Sequence, residues 1–540
     1  MVPLVAHLLL QRGITSYDEA KRFFRPALSD LHDPFLMKDM NLAVERIERA
    51  MASGETMLVY GDYDVDGTTA VALLYSYLIE SYPNVATYIP DRYTEGYGVS
   101  KKGIDFADDN GVTLIIALDC GIKALEQVAY AKEKGIDFII CDHHRPGPKL
   151  PEACAVLDPK REDCSYPYKE LCGCGVGFKL IQALASRDGT SISQLVPYLD
   201  LVATAIGADI VPITGENRVL AFYGLQVMNK NPRYGFKALI NQIKKTTLSI
   251  TDVVFIIAPR INAAGRMEHG QYAVNLLTAT SLESAQEQAG KIEQFNLDRR
   301  GLDQEITEVA LQQIVENQEQ ERFTSVVFDA EWHKGVIGIV ASRLTETYYR
   351  PTVVFTKSGD KLAASVRSVK GFDVYEALQG CSDYIEQFGG HKYAAGLTLL
   401  EEEFENFKAQ FEKVVATTID PKLLTPELTI DSKIQWQQLT PKLLRILNQF
   451  APFGPGNMRP VFMAEGLRDT GYAKGVGEGE KHLKVQLTQN GLKPIGAIGF
   501  NLGDKLSLVK GGNSLEAVFT LEENEWNGTV SLQLKLKDIR

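Results

Sequence analysis

The sequence predicts an α/β protein: a doubly wound parallel sheet, a long linking helix, a smaller α/β domain and a C-terminal β-barrel. Three observations predict it. Met57–Tyr60, Leu114–Leu118 and Phe138–Cys141 are short continuous apolar runs separated by segments of helical periodicity, the pattern of parallel strands buried on both faces. The stretch 282–320 is rich in Glu, Gln, Ala and Leu, contains no proline and repeats apolar residues at helical spacing. Beyond about residue 425 the pattern turns to strict alternation broken by Asn-Gly pairs, the strongest short-range hairpin signal.

In chain order, residues 1–56 read as a helical segment, with a helix start at Ser16-Tyr17-Asp18-Glu19 and breaks at Pro26 and Pro34. Residues 57–281 form the first domain, with strands expected at 57–61, 85–90, 113–118, 137–141 and 154–157, and helices such as Ala124–Lys134 between them. Right-handed crossovers then give a sheet with helices on both faces. One or two connecting helices occupy 282–320, their charges a solvated face. The second domain, 321–423, has strands at Ser325–Phe328, Thr352–Phe355 and Leu397–Leu400. In 424–540 the alternating run His482–Leu487 precedes Asn490-Gly491, and the run ending Glu525-Trp526 precedes Asn527-Gly528 and Val530–Leu534. A small barrel of oligonucleotide-binding type fits this size and pattern. Phe453-Gly454-Pro455-Gly456-Asn457, turn-dense, reads as a linker into it.

At 540 residues the chain exceeds one ordinary core. Its 45% hydrophobic and 23% charged composition is that of a soluble globular protein. No run is long enough to span a membrane, and Leu4–Leu10 lacks the flanks of a signal peptide, so a cytoplasmic location is expected. Seven cysteines suggest reduced thiols rather than a disulfide framework. Cys154, Cys164, Cys172 and Cys174 include no C-x-x-C pair, and Leu171–Gly175 reads as a tight turn into a helix. A net charge of −12 argues, taken alone, against nucleic-acid binding by bulk positive potential. Local basic pockets stay open, since metal-binding carboxylates contribute to that charge.

The three apolar runs end in Gly61-Asp62-Tyr63-Asp64-Val65-Asp66-Gly67, Asp119-Cys120-Gly121 and Asp142-His143-His144. Ligands bind at the carboxyl ends of such strands, so these acids and imidazoles should share one edge. An extended backbone would turn Asp62, Asp64 and Asp66 to one face, with Gly67 giving a sharp entry to a helix at Thr68. A calcium loop would need a glutamate where Leu73 stands. Oxygen ligands with imidazole suit manganese, with magnesium a possible substitute. Two such ions about 3.5–4 Å apart would serve phosphoester hydrolysis.

Asp64-x-Asp66, Asp119-Cys120-Gly121, Asp142-His143-His144 and Gly207-Ala208-Asp209 resemble the four motifs of the DHH phosphoesterase superfamily. Gly389-Gly390-His391-Lys392-Tyr393-Ala394-Ala395-Gly396 resembles the signature of its companion DHHA1 domain. The order, the spacing and the added β domain are similar to the superfamily's single-strand-specific 5′→3′ DNA exonucleases, over nearly the whole chain. The resemblance implies that Asp66, Asp119, His143 and Asp209 hold one manganese, and Asp64, Asp119 and Asp62 a second, with Asp119 bridging. It implies that His144 protonates or orients the leaving group, with Asp142 holding the imidazoles in place. Many members carry a histidine where this chain has Tyr60.

The resemblance further implies that Ser365, Arg367 and Arg92 recognise a terminal 5′ phosphate. Gly389, Gly390 and His391 would add backbone amides and an imidazole, and Arg260, Asn262 and Arg266 would line the DNA path. Any one of these arginines could instead make a salt bridge, and Trp332, His333 and Tyr393 could be core residues or stacking platforms. The expected activity is release of 5′-mononucleotides from single-stranded DNA in recombination and repair. A RecQ-type helicase and a single-strand-binding protein are the implied partners of a monomer. A phosphodiesterase for short RNA, cyclic dinucleotides or pyrophosphate is an alternative, as is a noncatalytic DNA-binding scaffold; the intact acid and histidine set argues against the scaffold.

Overall fold

The structure, a computed structural model, describes residues 3–243, 245–526 and 529–540. The first sheet contains β1 (Thr56–Gly61), β2 (Val85–Tyr88), β3 (Val112–Leu118), β4 (Asp137–Cys141) and β5 (Ala155–Leu157), in the order β2-β1-β3-β4-β5 and parallel throughout. The order reverses between β1 and β3, the switch point at which open α/β sheets bind ligands. Met57, Val59, Leu114 and Ile116 pack on one face against the helices Met40–Ser53, Val65–Ile79, Gly173–Arg187 and Leu199–Ala208. Leu58, Tyr60, Ile115 and Ala117 face the helices Lys101–Asp109 and Leu125–Glu133. Both faces are buried, which is why these strands read as unbroken apolar runs.

The linker is a single helix of 35 residues, Leu282–Glu316, capped by Ser281. Ala285, Ala289 and Ile292 belong to the core of the first domain, whereas Ile306, Ala310 and Ile314 belong to that of the second. The second sheet holds β6 (Ser325–Phe328), β7 (Thr352–Ser358), β8 (Lys361–Arg367), β9 (Gln387–His391) and β10 (Ala394–Leu400), ordered β6-β7-β8-β10-β9. Only its β6–β7 pairing is parallel.

The C-terminal sheet contains β11 (Ser432–Lys433), β12 (Phe462–Asp469), β13 (Lys474–Val476), β14 (His482–Gln489), β15 (Ile495–Gly499), β16 (Leu515–Trp526) and β17 (Thr529–Ile539). Its order is β11-β12-β16-β17-β15-β14-β13, and an extra β12–β14 pairing closes five strands into a barrel. Asn490 and Gly491 both take positive φ, 50° and 74°, as the expected turn requires. The Asn527-Gly528 turn lies outside the described residues; its flanking strands pair antiparallel.

Two expectations are corrected. The N-terminal segment is not one unit: the helices Pro3–Leu10 and Tyr17–Phe24 pack into the barrel core, while Met40–Ser53 covers the first sheet. The apolar run Leu4–Leu10 is thus a docking face, with Leu4, Val5, Leu8 and Leu9 against Trp436 and Leu443. The second helix does start at Ser16, whose side chain and that of Glu19 form a capping box. The helix after β1 begins at Val65, not Thr68, because Asp64 caps it. Among the described residues no helix is long and apolar enough to cross a membrane.

Candidate metal centre and strand-binding cleft

The helix start at Val65 changes how the first three acids meet. Asp64 caps the helix, its Oδ1 accepting the Gly67 N–H at 3.0 Å. Asp66 lies in the first turn, buried, and both its oxygens accept N–H groups from the start of the helix Gly173–Arg187: Gly173 and Cys174, each at 2.7 Å. That helix end favours a negative charge. Asp62 is fully buried; its Oδ1 accepts the Gly98 N–H at 3.1 Å and its Oδ2 has no hydrogen-bond partner.

Asp119 follows β3 in the left-handed region, φ 59°, a conformation Asp tolerates better than most residues. A Cβ on Gly173 would lie 2.5 Å from the Asp119 Cβ, so glycine there lets the helix approach. His143 follows β4. Its Nε2 lies 3.2 Å from Asp119 Oδ1, 3.7 Å from Asp209 Oδ2 and 3.8 Å from Asp66 Oδ2. Asp209 caps the C-terminus of Leu199–Ala208. The structure therefore brings together four side chains from four separate elements, with Asp62 and Asp64 beside them.

Asp142 holds only one of the two imidazoles. Its Oδ1 lies 2.7 Å from His144 Nδ1 and accepts the backbone N–H groups of His143 and His144, while Oδ2 accepts that of Ile122. The His143 ring nitrogens have no hydrogen-bond partner. Burial pushes the Asp142 carboxyl up, but the His144 imidazole and the amides outweigh it and bring it down to about 2. Burial opposes charge on His144, yet Asp142 holds its pKa above the usual value. The Tyr97 hydroxyl lies 3.2 Å from His144 Nε2.

The donor set fits a divalent cation. Asp62 Oδ2, Asp119 Oδ1 and both His143 ring nitrogens are buried without partners, where interior polar groups are normally bonded. Burial and the neighbouring Asp64 raise Asp62 to about 8 and Asp66 to about 7. Burial and Asp66 raise Asp209 to about 8 and push Asp119 far above the carboxylate range. Burial and His144 depress His143 to about 3, leaving the neutral imidazole that a metal requires. Carboxylates crowded in this way repel one another unless protons or a cation intervene.

Tyr60 is buried and bonds the loop after β2: its hydroxyl donates to Gly98 O at 3.0 Å and accepts the Ser100 N–H at 3.1 Å. It thereby steadies the amide that binds Asp62. Sequence reasoning missed Asp158, which follows β5, is fully buried, keeps Oδ2 unpartnered and is raised by burial to about 7. A fourth apolar run ending in an acid was its signal. Lys160 lies close enough to His143 and Asp209 to lower both pKa values.

The basic side of the cleft joins two domains. Arg92 packs over the Tyr63 ring, 3.8 Å from its centroid, and donates to Gly265 O. Arg266 donates to Gly335 O at 2.9 Å, while its own carbonyl accepts the Tyr93 hydroxyl. On β8, Arg367 bonds Ser365 Oγ at 3.1 Å. A Cβ on Gly338 would meet both Ser365 Oγ and Arg367 Nη2, at 3.0 and 3.2 Å. Burial, then Arg92, Arg367 and Arg299, lowers Arg266 to about 10. Among the described residues, Arg92, Arg266 and Arg367 form no ion pair, an arrangement suited to an anion.

Other residues of the expected strand path are placed differently. Arg260 is bound to Glu293 of the long helix, at 2.6 and 3.2 Å, rather than free for phosphate. Asn262 is half-buried on the same helix, Ala258–Met267. Gly389, Gly390 and His391 lie on edge strand β9; Ala394 of β10 pairs with both His391 and Arg367, so the histidine lies two strands from the arginine at the same end. A Cβ on Gly390 would lie 2.4 Å from Ala394 O. Trp332 belongs to a hydrophobic core, His333 stacks edgewise on Tyr93, and Tyr393 is exposed.

Residues 56–206 match the model of the DHH family N-terminal domain and 320–417 that of the DHHA1 domain, so fold and site define a protein of the DHH class. Residues 430–538 match the RecJ OB domain. The chain is 36% identical to the single-stranded-DNA-specific exonuclease RecJ of Bacillus subtilis, over all of this chain and 68% of the relative. It is 33% identical to that of Salmonella typhimurium and 32% identical to that of Escherichia coli, in each case over 99% of this chain and 96% of the relative. The structure of Thermus thermophilus RecJ in complex with Mn2+ superposes with a TM-score of 0.84 at 29% identity, covering all of this chain and 76% of that one. A Mg2+ complex of the same protein gives a TM-score of 0.78. The chain belongs to the RecJ family.

Proposed function

We propose that the chain is a manganese-dependent exonuclease, with magnesium able to substitute, that hydrolyses single-stranded DNA 5′→3′ to 5′-mononucleotides in recombination and repair. The observation that carries this reading is the convergence of Asp66, Asp119 and Asp209 on His143 Nε2, facing arginines from two domains. Asp66, Asp119, His143 and Asp209 would hold one ion, and Asp62, Asp64 and Asp119 a second. Divalent ions bound there supply Lewis-acid activation of water and of the scissile phosphate.

The protein's own groups do the rest. Arg92, Arg367 and Ser365 bind the terminal 5′ phosphate, with Arg266 behind them and the β9 glycines and His391 alongside. This sets the scissile bond one nucleotide from the end. His144, held through Nδ1 by Asp142, presents Nε2 to the departing 3′ oxygen and gives it a proton. The P–O3′ bond breaks, water supplies the new phosphate oxygen, and the shortened strand keeps a 5′ phosphate. Asn262 contacts the strand backbone, and Arg260 shapes the path from its salt bridge. The barrel grips the single strand further along. The protein acts in the cytoplasm as a monomer, on ends opened by a RecQ-type helicase and covered by single-strand-binding protein.

The test uses 5′- and 3′-labelled single-stranded DNA and a matched blunt duplex, in manganese, magnesium or chelator. Immediate release of labelled mononucleotide from the 5′ end, absent with chelator and on duplex, is expected. Cleavage only of dinucleotides or short RNA would overturn the substrate.

A further inference from the structure

The turn Phe453–Asn457 grips the chain just beyond Asp209. Gly454 and Asn457 close it with two backbone hydrogen bonds, and Pro455 O accepts the Ile213 N–H at 2.7 Å. A Cβ on Gly454 would lie 2.5 Å from the Ile213 side chain; one on Gly456, where φ is 72°, would lie 2.9 Å from Thr214 Cγ2. No side chain fits at either place without displacing the segment. Asn457 is 1% exposed; its Nδ2 donates to Phe450 O and Pro452 O at 2.7 and 2.8 Å, and its Oδ1 accepts Arg12 Nε at 2.8 Å. Every hydrogen-bonding atom of that amide thus serves to hold the turn rigid.

The gripped segment is fixed from within as well. Pro212 O accepts the Tyr168 hydroxyl at 3.3 Å and Asn217 Nδ2 at 3.0 Å. Arg218, in the first turn of the next helix, donates to Phe450 O and Ala451 O. Asp62, Asp119 and His143 follow strands of the first sheet, and Asp64 and Asp66 sit at the start of the helix after β1, whereas Asp209 ends a helix. Its successor Ile210 is exposed and in the left-handed region, φ 59°, which is strained for a β-branched residue. Such a conformation persists only where both flanks are held, and Pro212–Thr214 is the downstream flank.

We propose that the turn Phe453–Asn457 of the C-terminal domain is a positioning element of the metal centre, fixing the Asp209 carboxylate through its grip on Pro212–Thr214. The inference rests on Asp209 being a metal ligand. The barrel is then part of the catalytic apparatus as well as a grip on DNA.

The test titrates Mn2+ into the full chain without DNA, following free Mn2+ by electron paramagnetic resonance, for wild type, Asn457→Ala, Gly456→Ala and Gln11→Ala. Gln11 bonds Asp431 O at 2.8 Å across the same N-terminal seam but does not touch Pro212–Thr214. Asn457→Ala and Gly456→Ala are expected to weaken Mn2+ binding about tenfold, the order found for groups that orient metal ligands. At limiting Mn2+ their kcat should fall while KM for single-stranded DNA holds, with excess Mn2+ restoring the rate. Adding Thr214→Ser to Gly456→Ala removes the obstructing methyl but not the backbone strain at φ 72°, so it should recover part of the lost affinity, and Gln11→Ala should match wild type. Wild-type affinity in both turn variants, an equal loss in Gln11→Ala, or unfolding of both turn variants would overturn the positioning role. Absence of Mn2+ binding by the wild type would instead overturn the metal-centre reading.

Discussion

On the acidic side of the cleft the candidate ligands leave the ends of elements in one domain, and Asp62, Asp64 and Asp66 are fixed by N–H groups of that same domain. On the basic side Arg92 and Arg266 come from the first domain and Arg367 from the second, and the side chains of Arg92 and Arg266 are steadied by carbonyls. The chemistry can thus be preorganised before any strand arrives, while the proposed recognition of an end would require both domains to be seated.

Substitutions on the two sides should separate these properties. His144→Ala should cost about 10²–10⁴-fold in cleavage, the range of a lost general acid, while gel-shift affinity for single-stranded DNA holds; wild-type cleavage would sink the assignment. Arg367→Ala should instead lower the preference for 5′-phosphorylated over 5′-hydroxyl ends by about 10–100-fold, as loss of a charged hydrogen bond of about 1.5–3 kcal/mol implies. Equal loss on both ends would make it a general backbone contact.

A third prediction concerns pH. The folded pKa values of Asp62, Asp66 and Asp209, about 8, 7 and 8, lie above the unfolded carboxylate value. The metal-free fold is therefore most favoured by this cluster below the unfolded value and loses that contribution as pH rises toward 8. Mn2+ binds the ionised cluster, so its gain in melting temperature should be several degrees larger at pH 8 than at pH 6; a gain independent of pH would contradict the crowding. The smallest effect belongs to Arg260→Ala, which removes a salt bridge to Glu293 and should change kcat/KM by less than about threefold. A larger loss would return Arg260 to the strand path.

The parallel sheet and the acidic edge were legible because doubly buried strands write themselves as continuous apolar runs and the acids follow them directly. Asp158 obeys the same rule and its strand was expected at 154–157, but the run is only three residues long in the structure, and its single acid stands apart from the Asp-x-Asp and Asp-His-His clusters that drew attention to the other strand ends. The division of the N-terminal segment between the barrel and the first sheet was not legible, since an amphipathic helix announces a buried face without naming what it packs on. Arg260 and Arg367 look alike in sequence; a partner 33 residues away distinguishes them. Phe453–Asn457 has the composition of a linker, and only the fit of its glycines against Ile213 and Thr214 reveals a clamp.

The helix Leu282–Glu316 sets the phase between the domains as well as their separation. It is docked on the first domain through Ile292 and on the second through Ile306. One residue inserted between those anchors would turn the second domain by about 100° and advance it about 1.5 Å, swinging Arg367 away from Arg92. Drift in length there is tolerable only near whole turns. The helix is a ruler cut in units of its own pitch, and the proposed preference for strand ends would be partly written in how many residues it contains.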